Sequence, residues 1–153
     1  MSTYSDLWHV IISRVADVRG IAHSSIGFKN YNNADTVKLY LRSAQIFTLE
    51  LILHIHRSKY GTKFEPLSGI KALHHLIFMK TKWRIEDIEK MSLNHCLLVL
   101  QEDIRIDKLP ADAQEYLSYL PDYSLTFDGF LDNEWAPGES SAFLHDIQVD
   151  NHL

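Results

Sequence analysis

The feature of this sequence that most constrains its fold is an unbroken helical pattern from Asn33 to Gly61. Its densest part, IFTLELILHI, runs from Ile46 to Ile55 and carries apolar residues on more than one side. Asn33 is a favourable helix N-cap, and glycines such as Gly61 often end a helix in a left-handed conformation. The pattern therefore predicts one long central helix over about 33–60, roughly 37 Å in length.

The apolar residues of this helix form one broad stripe and a separate ridge made of Ile46, Leu49 and Leu53. A helix with a single packing partner needs no second ridge. We therefore expect one of two arrangements. Either the helix packs on two sides within the monomer, or the ridge is an oligomer interface.

Shorter patterns with helical periodicity or capping residues precede and follow the central helix. They predict a first helix from Ser5 to about Ala22 and a third that opens at Pro66 and ends near Lys80. Three further helices are predicted at about 85–91, after Ser92 and from Ala111. The expected fold is all-α, a five- or six-helix bundle around the central helix, with one more short turn near the C-terminus.

The C-terminal segment, residues 121–153, differs in charge from the rest of the chain. It holds seven of the twenty acidic residues and none of the fifteen Lys and Arg, which leaves residues 1–120 close to neutral. Turn signals such as Asp128-Gly129 predict a mostly irregular acidic-aromatic segment attached to a helical domain of residues 1–120.

Aromatic and acidic residues are interleaved in this segment. Such segments dock in basic, apolar grooves, because the aromatics supply contact area and the acids steer the encounter. We expect the segment either to pack on its own body near residues 57–84 or to bind a partner protein. The predicted partner-binding residues are Phe127, Phe130, Asp132, Glu134 and Trp135.

Lys and Arg concentrate between residues 57 and 84, with Tyr60 and Trp83 among them. A dedicated nucleic-acid-binding domain has a basic balance, whereas this chain has a net charge of −5. We therefore expect a solvated basic face and disfavour nucleic acid as a partner. The predicted basic patch consists of Arg57, Lys59, Lys63, Lys80, Lys82 and Arg84.

Nine histidines raise the question of a metal site. Helical zinc and di-iron sites use spacings such as His-x-x-x-His or Glu-x-x-His, and none occurs in this sequence. The weak candidates are Glu50 and His54, which share a helix face, and His74 in the apolar arc of the third helix. The competing interpretation is that Glu50 and His54 form a surface pair and that His74 is a core histidine. Cys96 lies among leucines and is interpreted as a buried thiol rather than a nucleophile.

Composition and the absence of motifs limit the function classes. No apolar run approaches the ~20 residues that span a bilayer. The first residues lack the features of a signal peptide, and one cysteine is typical of a reducing compartment, so we expect a cytoplasmic protein without a cofactor.

Our function hypothesis is a small intracellular, non-enzymatic protein-binding module, such as an adaptor, an immunity-type inhibitor or a regulator, with homo-oligomerisation as a further option. The alternatives are an enzyme or metal-binding helical bundle with a His/Glu site, and a nucleic-acid-linked regulator.

Overall fold

The computed structural model describes residues 3–26, 33–145 and 147. These residues form helices and no strand, so the predicted all-α bundle is confirmed. The α-helices of the described residues are α1 (Thr3–Arg19), α2 (Ala34–Tyr60), α3 (Ile70–Thr81), α4 (Ile85–Glu89), α5 (Leu93–Val99), α6 (Ala111–Tyr116) and α7 (Ser141–Leu144). Short 3-10 turns lie at His23–Ser25, Ile106–Lys108 and Asp132–Glu134. None of the helices in this part of the chain has the length and apolar character of a membrane span.

The central helix α2 has the predicted bounds and lies at the centre of the bundle. The Asn33 side chain caps it by accepting a hydrogen bond from the Asp35 backbone N–H at 2.9 Å. No residue from Thr36 to Arg57 is exposed. α1 and α3 both pack on α2, α4 and α5 pack on α3, and α7 and the Asp132–Glu134 turn pack on α1.

The second apolar ridge of α2 is covered within the monomer. Ile46, Leu49 and Leu53 are each at most 1% exposed. The first of the two expected arrangements, packing on two sides within one chain, is therefore the one that the structure shows. The ridge offers no open surface to a second copy.

α1 begins and ends earlier than the pattern predicts. Ser5 lies inside the helix and does not cap it. The helix ends at Arg19 because Gly20 adopts a φ of +67°, a left-handed conformation that glycine reaches without a steric penalty.

The predicted left-handed ending of α2 at Gly61 is wrong. Gly61 is extended, with φ −65° and ψ 147°. A Cβ at this position would lie 2.5 Å from the Arg57 carbonyl oxygen and 2.9 Å from that of Pro66. Glycine is required here because two backbone segments approach closely, and not because of its φ.

α3 begins at Ile70, later than the predicted start at Pro66. Leu67 and Gly69 both have a φ of 60°, so the chain turns sharply before the helix. A left-handed leucine costs roughly 1–2 kcal/mol, and burial of the Leu67 side chain in the core offsets this cost. Residues 61–69 therefore form a separate structured loop, called loop 61–69 below.

Candidate functional site

One buried carboxylate fixes the C-terminal segment to α1 and α2. The completely buried side chain of Glu134 accepts hydrogen bonds from Arg19 of α1 and Arg42 of α2. The Gly129 carbonyl accepts from the Nη2 atoms of Arg19 and Arg42 at 3.0 and 2.9 Å. Because a buried charge is costly unless it is paired, this cluster stabilises one position of the segment relative to both helices.

Two phenylalanines lie over these guanidinium groups. Arg19 is 4.3 Å from the centroid of the Phe127 ring, and Arg42 is 4.5 Å from the centroid of the Phe130 ring. These are cation–π contacts, which gain strength where the cation is desolvated. Phe130 is buried and Phe127 is half-buried, so both rings shield the ion cluster from water.

Trp135 forms a second anchor. Its indole N–H donates to the carboxyl group of Glu50 on α2. Glu50 is only 3% exposed, so the surface-pair interpretation of Glu50 and His54 is wrong. Burial raises the pKa of Glu50, and the Trp135 hydrogen bond and the charge of Arg57 act in the opposite direction.

The structure places most of the predicted partner-binding residues inside the chain's own fold. Phe130, Glu134 and Trp135 are buried, whereas Asp132 is exposed. Of the two expected arrangements, the structure shows packing on the rest of the same chain for these three residues. Their anchoring contacts go to α1 and α2, and not to the basic residues of 57–84.

A cleft of about 330 Å³ lies between the second half of α2, loop 61–69 and α7. α2 contributes Glu50, His54 and Arg57, which are spaced four and three residues apart and therefore share a face. The C-terminal segment contributes Ser141 and His145. With Ser68 of loop 61–69, the fold thus brings an acid, two imidazoles, a guanidinium group and two hydroxyls together around a space large enough for a small polar ligand.

His54 lines this cleft as a neutral imidazole. Burial lowers its pKa, and its Nε2 lies 3.3 Å from the carbonyl oxygen of Ile147. Because a carbonyl can only accept, this contact places the ring proton on Nε2 and leaves Nδ1 as an acceptor.

Arg57 is the cation of the cleft. Its Nε donates to the Leu67 carbonyl at 3.2 Å, and burial lowers its pKa while the charge of Glu50 opposes that shift. No carboxylate oxygen of the described residues lies within salt-bridge distance of this guanidinium group. The other five arginines do form such pairs, namely Arg14, Arg19, Arg42, Arg84 and Arg105.

The structure does not bring the three weak metal candidates together. Glu50 and His54 line the cleft, whereas His74 lies on α3 and does not. His74 is half-buried, and burial lowers its pKa. No group of three His, Cys, Asp or Glu side chains in the described residues is arranged to hold a metal ion. Cys96 is buried, as predicted, and burial raises the pKa of its thiol.

A histidine pair that the sequence did not reveal joins α2 to α3. His56 Nε2 and His75 Nδ1 lie 2.7 Å apart, and the Tyr60 ring packs against both imidazoles. Desolvation of the buried His56, with a further effect from His75, lowers the pKa of His56 to about 4. No spacing rule predicts this pair, because its members lie on different helices.

The predicted basic patch is divided in two by α3. Three of its cations lie at the end of α2 or in loop 61–69, namely Arg57, Lys59 and Lys63. The other three lie at or beyond the far end of α3, namely Lys80, Lys82 and Arg84. The 12 residues of α3 span about 18 Å. Lys80 pairs with Asp103 at 2.9 Å and Arg84 with Glu86 at 3.5 Å, so acids offset much of the second group.

Loop 61–69 presents Phe64 to solvent on an ordered turn. The Thr62 N–H donates to the Glu65 carbonyl at 2.8 Å, and Thr62 Oγ1 accepts from the N–H groups of Phe64 and Glu65 at 3.3 and 3.0 Å. The Glu65 carboxylate accepts from the Leu67 N–H at 3.2 Å and from Lys71 Nζ at 2.9 Å. Phe64 is 93% exposed on this turn. We call residues 62–65 the Phe64 turn.

Comparisons with known proteins do not assign this chain to a family. No protein-family model matches the sequence, and neither a curated protein nor a solved structure matches it. Function therefore has to be inferred from the cleft and the Phe64 turn themselves.

Proposed function

We propose that this chain is a non-enzymatic protein-binding module that docks through the Phe64 turn. The observation that carries the proposal is the 93% exposure of Phe64 on a turn held by hydrogen bonds of Thr62 and Glu65. An aromatic side chain in solvent adds little to the stability of its own fold. On a partner, the same side chain would fill an apolar pocket, which is the usual chemistry of an interface hot spot.

The order of the turn supports this role. Binding by a mobile loop costs conformational entropy, whereas a loop that is already fixed avoids much of that cost. The Phe64 turn is held by Thr62, which closes the turn itself, and the solvent-exposed pair of Glu65 with Lys71 of α3 adds a weaker contact.

The flanking charges indicate what kind of partner fits. Lys63 directly precedes Phe64 in the chain, Lys59 lies over the Tyr60 ring, and neither lysine forms a salt bridge with the described residues. Unpaired ammonium groups beside an apolar anchor favour a partner surface with an apolar pocket and an acidic rim.

The test compares the variants Phe64→Ser and Leu98→Ser. Leu98 is 70% exposed on α5, so each substitution removes one exposed apolar side chain, and both variants should keep their stability within about 0.5 kcal/mol. Each protein is used as bait in an extract of the cells that make it, and affinities are then measured for the proteins retained. We expect L98S to bind as the unmodified chain does and F64S to lose at least about tenfold in affinity for one partner. If F64S keeps every partner at unchanged affinity, the turn is not the docking surface.

Two alternatives have their own discriminating measurements. An enzyme or metal-binding bundle is favoured by the presence of Glu50 and His54 in one cleft, and stoichiometric zinc or iron in protein purified without a histidine tag would support it. A nucleic-acid-linked regulator would bind DNA or RNA with a steep salt dependence. Self-association through the Phe64 turn would appear as a concentration-dependent mass that F64S abolishes.

A further inference from the structure

We infer that the cleft between α2, loop 61–69 and α7 binds a small organic oxyanion, a carboxylate or a phosphate ester, through the guanidinium group of Arg57. This inference does not depend on the Phe64 turn, because the turn and the cleft use different side chains of the same loop. It assigns a ligand class to the cleft that contains Glu50 and His54.

Arg57 has N–H donors that find no acceptor among the described residues. A guanidinium group has five N–H donors, and the contact of Nε with the Leu67 carbonyl occupies one of them. The two terminal nitrogens of Arg57 have no acceptor among the described residues. By contrast, Arg14 makes a two-pronged contact with Glu139, with both distances 2.7 Å. A carboxylate or phosphate of a ligand would give Arg57 the same kind of partner.

The backbone that holds Arg57 has an unusual conformation. The acceptor carbonyl belongs to Leu67, which has the unusual φ of 60°, and Gly69 two residues later has the same φ and lines the cleft. Strained backbone concentrates at ligand sites, where the surrounding packing sustains it. Here the Leu67 carbonyl holds Arg57 Nε, and the terminal nitrogens of the guanidinium group have no hydrogen-bond acceptor within the described residues.

The remaining walls set the size and character of the ligand. Pro66 and Leu144 provide apolar surface, and Ser68 and Ser141 provide hydroxyl groups. A volume of about 330 Å³ lies at the lower end of the range for small-molecule sites. The cleft therefore suits an oxyanion on a short carbon skeleton rather than a polymer.

Glu50 is the group that could repel an anion. It is buried and accepts the indole N–H of Trp135, so it has a partner of its own. Burial also raises the pKa of Glu50.

The test is a titration of the full-length protein with sodium phosphate and, separately, sodium butyrate, followed by amide NMR shifts at constant ionic strength. Sodium chloride is the control for general salt effects. We expect saturable shifts of amides in loop 61–69 and near Gly138 with at least one oxyanion below about 10 mM. The oxyanion whose titration curve saturates identifies the ligand class. If neither titration saturates, the inference is overturned.

Three variants distinguish the contribution of Arg57 to oxyanion binding from that of neighbouring residues. Arg57→Gln should weaken binding at least about tenfold, because it removes the charged donors. Lys59→Gln removes a cation from the same helix outside the cleft and should bind as the unmodified protein does. Ser68→Trp leaves Arg57 in place and fills the cleft, so it should also abolish binding even if R57Q proves unstable. Unchanged affinity in R57Q or in S68W would contradict the inference.

Discussion

Trp135 donates its indole N–H to the carboxyl group of Glu50, which lies 85 positions earlier in the chain. Both side chains are buried, so neither can replace this partner with water. The hydrogen bond joins the C-terminal segment to the middle of α2, beside the cleft that Glu50 lines. It makes the acidic-aromatic segment part of the packing around the central helix.

Loss of this hydrogen bond should be measurable as a loss of stability. Trp135→Phe keeps an aromatic ring and removes the donor, which leaves a buried carboxyl group unsatisfied. We expect the free energy of unfolding to fall by about 1–3 kcal/mol in chemical denaturation. The matched control is Trp83→Phe, since Trp83 is 49% exposed and its indole donates to no buried acceptor in the part of the chain that the structure describes. Equal free energies of unfolding in the two variants would show that the hydrogen bond between Trp135 and Glu50 does not stabilise the fold.

Two glutamates of the C-terminal segment pair with arginines, and these pairings differ in burial and should differ in energy. Glu134 is completely buried between Arg19 and Arg42, whereas the side chains of Arg14 and Glu139 are each 34% exposed. Glu134→Gln leaves two guanidinium groups without a carboxylate and should cost about 3–5 kcal/mol. Glu139→Gln should cost less than about 1 kcal/mol, because water screens the pair. Thermal and urea unfolding of both variants measure the difference, and similar losses would contradict this ranking.

The histidine pair between α2 and α3 should make stability depend on pH. The folded chain keeps His56 neutral down to about pH 4, whereas an unperturbed histidine takes up its proton near pH 6.5. Between these values the unfolded state binds more protons, so the free energy of unfolding falls as the pH is lowered. His54 and His74, whose pKa values burial also lowers, contribute in the same direction. The expected loss from His56 is on the order of 1–3 kcal/mol.

A substitution isolates the contribution of His56. His56→Phe removes the proton-binding group and keeps a ring beside Tyr60, so stability should decline less steeply between pH 6.5 and pH 4. His95→Phe is the control, because His95 lies in solvent on α5. Urea unfolding at several pH values measures both slopes. If the free energy of unfolding of H56F depends on pH as steeply as that of the unmodified protein, the pKa of His56 does not differ between the folded and unfolded states.

Local patterns were sufficient to predict α2. Asn33 is a capping residue, the apolar positions run through the whole segment, and Gly61 ends it, so both the bounds and the central position follow from neighbouring residues. Loop 61–69 could not be predicted in this way. Nothing in the residue type of Leu67 signals a φ of 60°, because that conformation is sustained by contacts with other parts of the chain.

The candidate site was only partly predictable for the same reason. Glu50 and His54 are neighbours on one helix turn, and their shared face could be identified from spacing. Arg42 and Glu50 are buried, but helical periodicity does not distinguish them from exposed polar residues of the same helix such as Lys59. The identity of their buried partners, Glu134 and Trp135, depends on packing between distant segments, about which helical periodicity carries no information.

The C-terminal segment completes the fold around α2 and is not a detachable docking tail. The most direct measurement is thermal unfolding, followed by circular dichroism, of a chain that ends at Leu120. Such a chain lacks Glu134 and Trp135, so it exposes the core surface that they cover and leaves Arg42 and Glu50 unpaired. We predict that it loses cooperative unfolding or unfolds far below the full-length protein. A cooperative transition at the temperature of the full-length chain would contradict the claim.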